Sequence, residues 1–597
     1  MSVSHPPTVM PRLFRLTVLL VALVPVACRA QMSPAPDPAR AETAMVVSAE
    51  VHASEAGVEV MRAGGNAVDG AVATGFALAV TFPVAGNLGG GGFMVIRFPD
   101  GTATTVDYRE TGPAAATRDM YLDADGDYVP ARSQRGHLAS GTPGSVAGLL
   151  HAHAAYGRLP LADVLAPAVR LAAEGFGLTR RHAARFNSYR RSFLTYPGTA
   201  AHFTKSGPDS LYAEGEVFRQ PELADVLRRI ARDGRDGFYR GETADLIVAE
   251  MERGGGILTH ADLEAYRPVE RAPVEGTYRG HRILSMPPPS SGGIALLQML
   301  AAVEPYDVGD LGFNSSATVH LMGEAMRRAF ADRAEYLGDP DFSPVPTETL
   351  LDPDYTRRRM ADFDPWQADS SVALGAGDLA YESSETTHYS VVDGDGLAVS
   401  TTTTLNGGYG SRVVVAGAGF FLNNEMDDFA AKPGVPNMFG LVQGEANAVG
   451  PGKRMLSSMT PTIVEDPQGR LLLVVGSPGG PRIITATYET ILNVIDHGMT
   501  IQEAVAAPRV HHQWLPDVLY AERLSLPRDV VAALELRGWE VDESGGYWSR
   551  VDAIQVRYAS QSATFDPSGL DEVTDATVGR ILLGGADPRG EDAAVGY

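Results

Sequence analysis

The sequence predicts a layered unit of helices and sheets, in which a helical first half and a β-rich second half fold together. Three observations lead there. Apolar residues recur at helical spacing from Leu161 to Ala173 and from Thr318 to Ala334, inside a helix-rich middle that runs from about Leu161 to Arg333. From Tyr389 onward the texture changes to short β-branched runs split by Gly and Asp turns. No flexible linker separates the two textures, although 597 residues at about 150 per domain would suit several units or one large one. With 44% hydrophobic and 20% charged residues the chain can bury a sizeable core, which excludes disordered and fibrous classes.

Taken in order, residues 1–30 hold Arg12 and Arg15 and no acid, then an apolar run from Thr17 to Ala27, then small residues. That is the order of a secretory signal, and the run is short for a bilayer span. An N-terminal buried helix is the alternative. Cleavage after Ala30 competes with lipidation of Cys28, because Pro25-Val26-Ala27-Cys28 resembles a lipoprotein signal with Pro where Leu is usual. The expectation is a signal peptide over 1–30, an Ala/Pro-rich leader over 31–44, and an exported protein, periplasmic or secreted, with Cys28 as an alternative lipid anchor.

From Met45 to Ala79 the spacing predicts two helices joined at Gly64-Gly65-Asn66 and ending before Pro83. The run Gly89 to Gly92 then leads into Phe93-Met94-Val95-Ile96-Arg97-Phe98, a core strand whose hairpin closes at Asp100-Gly101. In the second half, strands are expected at Tyr389–Val392, Leu397–Thr404, Val413–Val415, Pro461–Glu465 and Leu471–Val475, and helices at Ile484–Asp496 and Val530–Arg537.

Composition removes several function classes. A balance of 49 Lys+Arg against 73 Asp+Glu, formal charge -24, repels phosphate backbones, so no nucleic-acid partner is expected. One cysteine excludes disulfide scaffolds and Cys-cluster metal sites. There is no Gly-x-Ser-x-Gly elbow and no His-Glu-x-x-His, and the pairs His151/His153 and His511-His512 lack a third ligand at a diagnostic spacing, so no metal is expected. Asp123-Ala124-Asp125-Gly126-Asp127 has its Gly at the wrong place for a calcium loop and Gln134 where Glu is needed, and reads as a turn. The Gly89–Gly92 run lacks a following Gly-Lys-[Ser/Thr], and close backbone approach explains it better than phosphate binding.

One segment stands out: Glu382-Ser383-Ser384-Glu385-Thr386-Thr387-His388-Tyr389-Ser390-Val391-Val392, a polar loop turning directly into a strand. Alone it is a hairpin entry. Around it, in order, come Asp107-Tyr108-Arg109-Glu110, Thr404-Leu405-Asn406, Asn423-Asn424-Glu425-Met426-Asp427-Asp428-Phe429, Leu456-Ser457-Ser458-Met459 and Gly476-Ser477-Pro478-Gly479-Gly480. Read singly, Ser457-Ser458 are turn residues and Asp427-Asp428 a helix cap. As an ordered set, with Gly64–Asp69, Gly86–Phe93, Ser290-Ser291-Gly292-Gly293 and Ala507–Trp514, the chain from Met45 to Tyr597 closely resembles the γ-glutamyltranspeptidases, or glutathione hydrolases, of the N-terminal nucleophile hydrolase superfamily.

The resemblance implies an α+β fold, a four-layer αββα sandwich formed jointly by two autoprocessed subunits, residues 45–385 and 386–597. It implies cleavage between Glu385 and Thr386, with Thr387 beside the new amine. Thr386 is then the nucleophile and, through its own α-amine, the base; Thr404 steadies it, and the N–H groups of Gly479 and Gly480 form the oxyanion hole. Arg109 pairs with the substrate α-carboxylate, helped by Ser457 and Ser458, while Asn406, Glu425 and Asp428 hold the α-ammonium. A guanidinium fork suits a carboxylate better than a Lys point charge. No cofactor is implied. The partners implied are glutathione and other γ-glutamyl compounds, with amino acid or dipeptide acceptors, and the two subunits as a heterodimer.

Two departures stand out from the family pattern. Lys432–Gly440 resembles the lid loop of bacterial members but carries Phe439 where many have Tyr, which predicts a lid held by apolar contact alone. Asn406-Gly407-Gly408 lacks the hydroxyl or bulky residues often found there, which points to a different acceptor preference. The rival readings are a cephalosporin or glutaryl acylase on the same fold, and a non-catalytic exported binding protein.

Overall fold

Two seven-stranded sheets lie face to face and helices cover the outer side of each. The computed structural model describes residues 1–2, 36–207, 210–374, 386–558 and 579–597, and from Asp37 to Tyr597 they form one compact unit. In spatial order the first sheet is Ala593–Gly596, Met45–Ser48, Thr386–Val392, Ala398–Thr404, Gly91–Arg97, Ala103–Asp107 and Val269–Arg271. The second is Ala39–Ala41, Arg580–Gly585, Ala553–Tyr558, Leu471–Val475, Thr462–Glu465, His281–Ser285 and Val274–Tyr278. All neighbours pair antiparallel. Each sheet draws strands from both sides of position 386, so neither half of the chain closes a sheet alone.

Val47, Val95, Val392, Ile463, Val474 and Leu582 interdigitate between the sheets. On the first sheet pack helices Val51–Arg62 and Ala67–Thr81; on the second pack Gly292–Val303 and Ile501–Ala506, with Ser316–Tyr336 and Arg482–Ile495 against Gly292–Val303. This is the expected αββα sandwich. Ala67–Thr81 is buried on every side, which explains its run of small residues. It starts with a capping box in which the Asn66 side chain accepts from the Val68 and Asp69 N–H groups and the Asp69 carboxylate accepts from the Asn66 N–H. At Gly57 a Cβ would lie 2.3 Å from Thr74 Oγ1, so the two helices meet only because glycine stands there.

The predicted helices Leu161–Ala173, Thr318–Ala334, Ile484–Asp496 and Val530–Arg537 are present as Leu161–Glu174, Ser316–Tyr336, Arg482–Ile495 and Arg528–Leu536. Three expectations need correction. Met45–Ser48 is a strand, not the start of a helix, and the helix begins at Val51; helical spacing among small residues hid a buried β-branched pair, Val46-Val47. Inside the helix-rich middle lie five strands: the two-residue pair Phe176–Gly177 and Val217–Phe218, the strand Val269–Arg271, and a hairpin of Val274–Tyr278 and His281–Ser285 turning at Arg279-Gly280, both at positive φ. An Arg-Gly turn lacks the Asn-Gly or Asp-Gly cue. Val413–Val415 is not a strand: only Val414 bridges to Phe421, and its N–H is taken by Thr199 Oγ1 at 2.9 Å. Within the stretch 31–44, Ala39–Ala41 is an edge strand paired with Arg580–Gly585. The signal segment, apart from residues 1–2, lies outside the described residues, Cys28 included.

Asp123–Asp127 is a turn, with Asp123 Oδ1 accepting from the Asp125 and Asp127 N–H groups. The Gly89–Gly92 run is a close backbone approach. A Cβ at Gly90 would sit 2.1 Å from the Thr404 carbonyl oxygen, and one at Gly92 2.5 Å from that of Thr402. Gly90→Ala is therefore expected to overpack the ladder and destabilise the protein by about 1–3 kcal/mol. A thermal melt checks this; a variant as stable as the parent would show that the contact does not constrain the run.

Candidate active site

Alternation along Thr386–Val392 decides what each side chain meets. His388 and Ser390 face the second sheet: the His388 ring bonds Thr402 Oγ1 (2.9 Å) and Ser390 Oγ (3.1 Å), and Ser390 Oγ donates to the Asp552 carbonyl (2.9 Å). Burial holds the His388 pKa down to about 3, so the ring is neutral. Thr386 shares that parity and stands at the strand's first position, at the mouth of the gap between the sheets. Thr387 is on the helix-covered face, its hydroxyl buried without a hydrogen-bond partner among the described residues.

Thr386 pairs with Thr404 across the ladder, and their hydroxyl oxygens are 3.4 Å apart. Thr404 is fixed from two sides. Its Oγ1 accepts from the Asn406 N–H (2.8 Å), and its carbonyl accepts from Asn87 Nδ2 (2.8 Å), whose Oδ1 in turn accepts from the Gly90 N–H (2.9 Å) and Ser145 Oγ (2.6 Å). Asn406 has φ +76°, a left-handed conformation that Asn tolerates better than most residues. Its Nδ2 donates to the Asn424 carbonyl (3.0 Å), which leaves Oδ1 as an acceptor.

One small cavity, of about 20 Å³, brings together Thr386, Thr404, Asn406, Arg109, Glu425, Asp428, Ser457, Ser458 and Gly480, and adds Arg333 and Phe439. Of the expected site residues, Gly479 and Thr387 do not line it, and Glu385 lies outside the described residues. Ser457 and Ser458 are set by the Ser290-Ser291 motif: Ser291 donates its N–H (2.8 Å) and Oγ (2.6 Å) to the Ser457 carbonyl, and Ser290 Oγ donates to the Met459 carbonyl (2.6 Å). Gly479 and Gly480 have φ +136° and +56° at the turn into helix Arg482–Ile495. Among the described residues neither glycine N–H donates to a hydrogen bond, as an oxyanion hole requires.

Arg109 is fully buried, and its guanidinium is bound by Glu425 and Asp428, the two acids the resemblance gives to the ammonium; Nε donates to the Met455 carbonyl (3.2 Å) and Glu110 lies 3.7 Å away. Burial alone would lower its pKa, but these three acids hold it above the ordinary arginine value. Burial pushes Asp428 up to about 6 and Glu110 up to about 7, against the pull of Arg109, and pushes Glu425 well above the usual range. Asp427 does not reach the cavity. It accepts from Tyr128 OH (2.8 Å), Ser133 Oγ (2.5 Å) and the Met438 N–H (3.0 Å).

That last bond corrects the expectation for the lid. Besides Met438, Asn437 Nδ2 donates to Asp428 Oδ1 (3.3 Å) and Gln513 Nε2 to the Phe439 carbonyl (3.3 Å), so polar bonds hold the segment and not apolar contact alone. The Phe439 ring itself covers Gly480. Sequence reasoning missed Arg333 and gave Glu110 no role. In sequence Arg333 looks like one more charge on a helix surface; only the structure shows that residues 325–333 of Ser316–Tyr336 are all buried.

The γ-glutamyltranspeptidase family profile matches residues 53–597. A glutathione hydrolase proenzyme of Pseudomonas sp. (strain A14) is 49% identical over 502 residues, covering 84% of this chain and 87% of its own length. One of Escherichia coli (strain K12) is 46% identical over 563 residues, 94% of this chain and 93% of its own. Among solved structures, a cephalosporin acylase from Bacillus halodurans superposes with a TM-score of 0.79 at 28% identity, over 96% of this chain and 99% of its own. On the extent of the profile and on these identities, the chain belongs to the γ-glutamyltranspeptidase family.

Proposed function

We propose that the protein is made as a single-chain precursor that cuts itself before Thr386 and then acts as a γ-glutamyltransferase and glutathione hydrolase. The observation that carries this reading is the meeting of Thr386 with a pocket that holds both cations and acids, Arg109 and Arg333 beside Asp428 and Glu425. A pocket for the glutaryl side chain alone would need no acids.

In maturation Thr386 Oγ attacks the Glu385 carbonyl carbon; the C–N bond breaks, the nitrogen keeps its proton and takes the hydroxyl proton, and water hydrolyses the ester. The freed α-amine, whose ordinary pKa is about 7.7–8.0, then accepts the Oγ proton when Oγ attacks the γ-carbonyl of a donor. The oxyanion develops against Gly479-Gly480, the leaving amine carries off the proton, and water or an acceptor amine cleaves the γ-glutamyl ester. Amino acids and short peptides are the acceptors this reading implies. The Arg12/Arg15 lead and apolar run support export, to the periplasm or outside, with Cys28 as the alternative anchor.

Thr386→Ala should give an uncut, inactive chain, because no other group both attacks Glu385 and carries the ester. A denaturing gel and glutathione turnover test it, and an equally well-split variant would sink the assignment. Arg109→Lys should still be cut but should bind γ-glutamyl donors about tenfold more weakly, since Lys keeps charge and loses the fork; unchanged kinetics on the cleaved variant would remove Arg109 from donor binding. Asp428 must be ionised to hold an ammonium, and its carboxyl is pushed up to about 6. The donor KM should therefore rise as pH falls through about 6 and be flat just above it; a KM independent of pH from 5 to 7 would contradict that role.

A further inference from the structure

Arg333 is the second buried cation of the cavity, and its bonding differs from that of Arg109. It projects from helix Ser316–Tyr336, is 1% exposed, and lines the same space as Thr386. Nε donates to Ser291 Oγ (2.9 Å) and Nη2 to Ser458 Oγ (3.3 Å), while Nη1 is buried with no hydrogen-bond partner. Among the described residues no carboxylate lies within ion-pair distance; Asp428 acts on it only through its field. A fully buried guanidinium without a counter-ion is costly, and proteins keep such groups where a ligand completes them. Its pKa, brought down to about 10 by burial, still leaves it charged at neutral pH.

The contrast with Arg109 gives the charge a task. Arg109 donates to Glu425, Asp428 and the Met455 carbonyl, so an incoming carboxylate at Arg109 alone meets a cation already shared among acids. Arg333 has an unused donor beside the hydroxyl of Ser458. We infer that Arg333, through Nη1 and with Ser458, binds the α-carboxylate of the γ-glutamyl donor as a second cation beside Arg109. The inference rests on the γ-glutamyl reading above and adds to it which side chain tells a donor with an α-carboxylate from one without.

Three anilide donors separate the groups on the substrate. The γ-glutamyl anilide carries both carboxylate and ammonium, the glutaryl anilide only the carboxylate, and the 4-aminobutyryl anilide only the ammonium. In cleaved Arg333→Gln, kcat/KM for γ-glutamyl relative to 4-aminobutyryl should fall about ten- to a hundredfold, as for a lost charge-assisted bond. The loss should appear in KM, and the glutaryl donor should share it. An equal loss on all three donors means a structural role and overturns the proposal, as does an unchanged ratio. Should Arg333→Gln not be cut, Arg333→Lys keeps the charge and replaces it; a ratio equal to the parent's with all donors equally slowed would again overturn the proposal. Parent enzyme that releases no anilide from the γ-glutamyl donor would instead overturn the proposed function itself.

Discussion

The site depends on the register between Thr386–Val392 and Ala398–Thr404. Seven residue pairs, from Thr386↔Thr404 to Val392↔Ala398, set Thr386, the proposed nucleophile, opposite the Thr404 hydroxyl. A slip of one residue would exchange the faces, turning Thr386 toward the helices and Thr387 toward the pocket. The slip is resisted on both faces. Toward the second sheet, His388 is fastened to Thr402 and fits against Gly476, where a Cβ would be 2.4 Å from the ring. Toward the helices, the Tyr389 hydroxyl fills the space that a Cβ on Gly75 would take, at 2.7 Å. The next strand, Gly91–Arg97, locks the pair from the far side because Gly92, and Gly90 just before the strand, let the backbone approach the Thr402 and Thr404 carbonyls.

A second constraint is electrostatic. Removing charges from water costs several kcal/mol per ion, recovered only where partners are close. Arg109 with Glu425 and Asp428 meets that condition; Glu110, whose oxygens have no hydrogen-bond partner among the described residues, avoids the cost by holding its proton up to about pH 7. Such an arrangement is a poor choice for stability alone. It suits a ligand that is itself a zwitterion, whose ammonium and carboxylate would divide the cluster between them without adding net charge.

How much of this was legible depended on whether the cue was local. Helices with a clear apolar period and strands rich in β-branched residues were found to within a few residues. Val46-Val47 was lost because a strand buried on both faces has no alternation to read. The hairpin at Arg279-Gly280 lacked the usual turn residues, and Val413–Val415 had the right composition but gave its N–H to Thr199. In the site, the residues embedded in short motifs could be named, since several weak patterns in a fixed order are specific together. Arg333 could not, because nothing near it in sequence shows that a helix well over a hundred residues before Ser458 delivers it to the same cavity. The lid was misjudged for a related reason: the bonds that hold it come from Asp427, Asp428 and Gln513, and a missing hydroxyl at Phe439 says nothing about them.

A cephalosporin acylase shares the whole sandwich at a TM-score of 0.79, so the fold cannot be what selects a γ-glutamyl group. Selection must lie in side chains that the sandwich merely carries to the mouth of the sheets. The α-carbon of the donor bears two opposite charges a few ångströms apart, and a pocket that recognises both needs its own two signs separated in the matching sense. Ser457-Ser458, fastened by Ser290-Ser291, lies next to Arg333, while Asn406 and Asp428 lie on the side of the Asn424 loop and the lid. With Arg109 tied between Glu425 and Asp428, the proposed role of Arg333 would complete the positive end of that axis, and a donor head bound in that sense would enter with its carboxylate toward Ser458 and its ammonium toward Asn406.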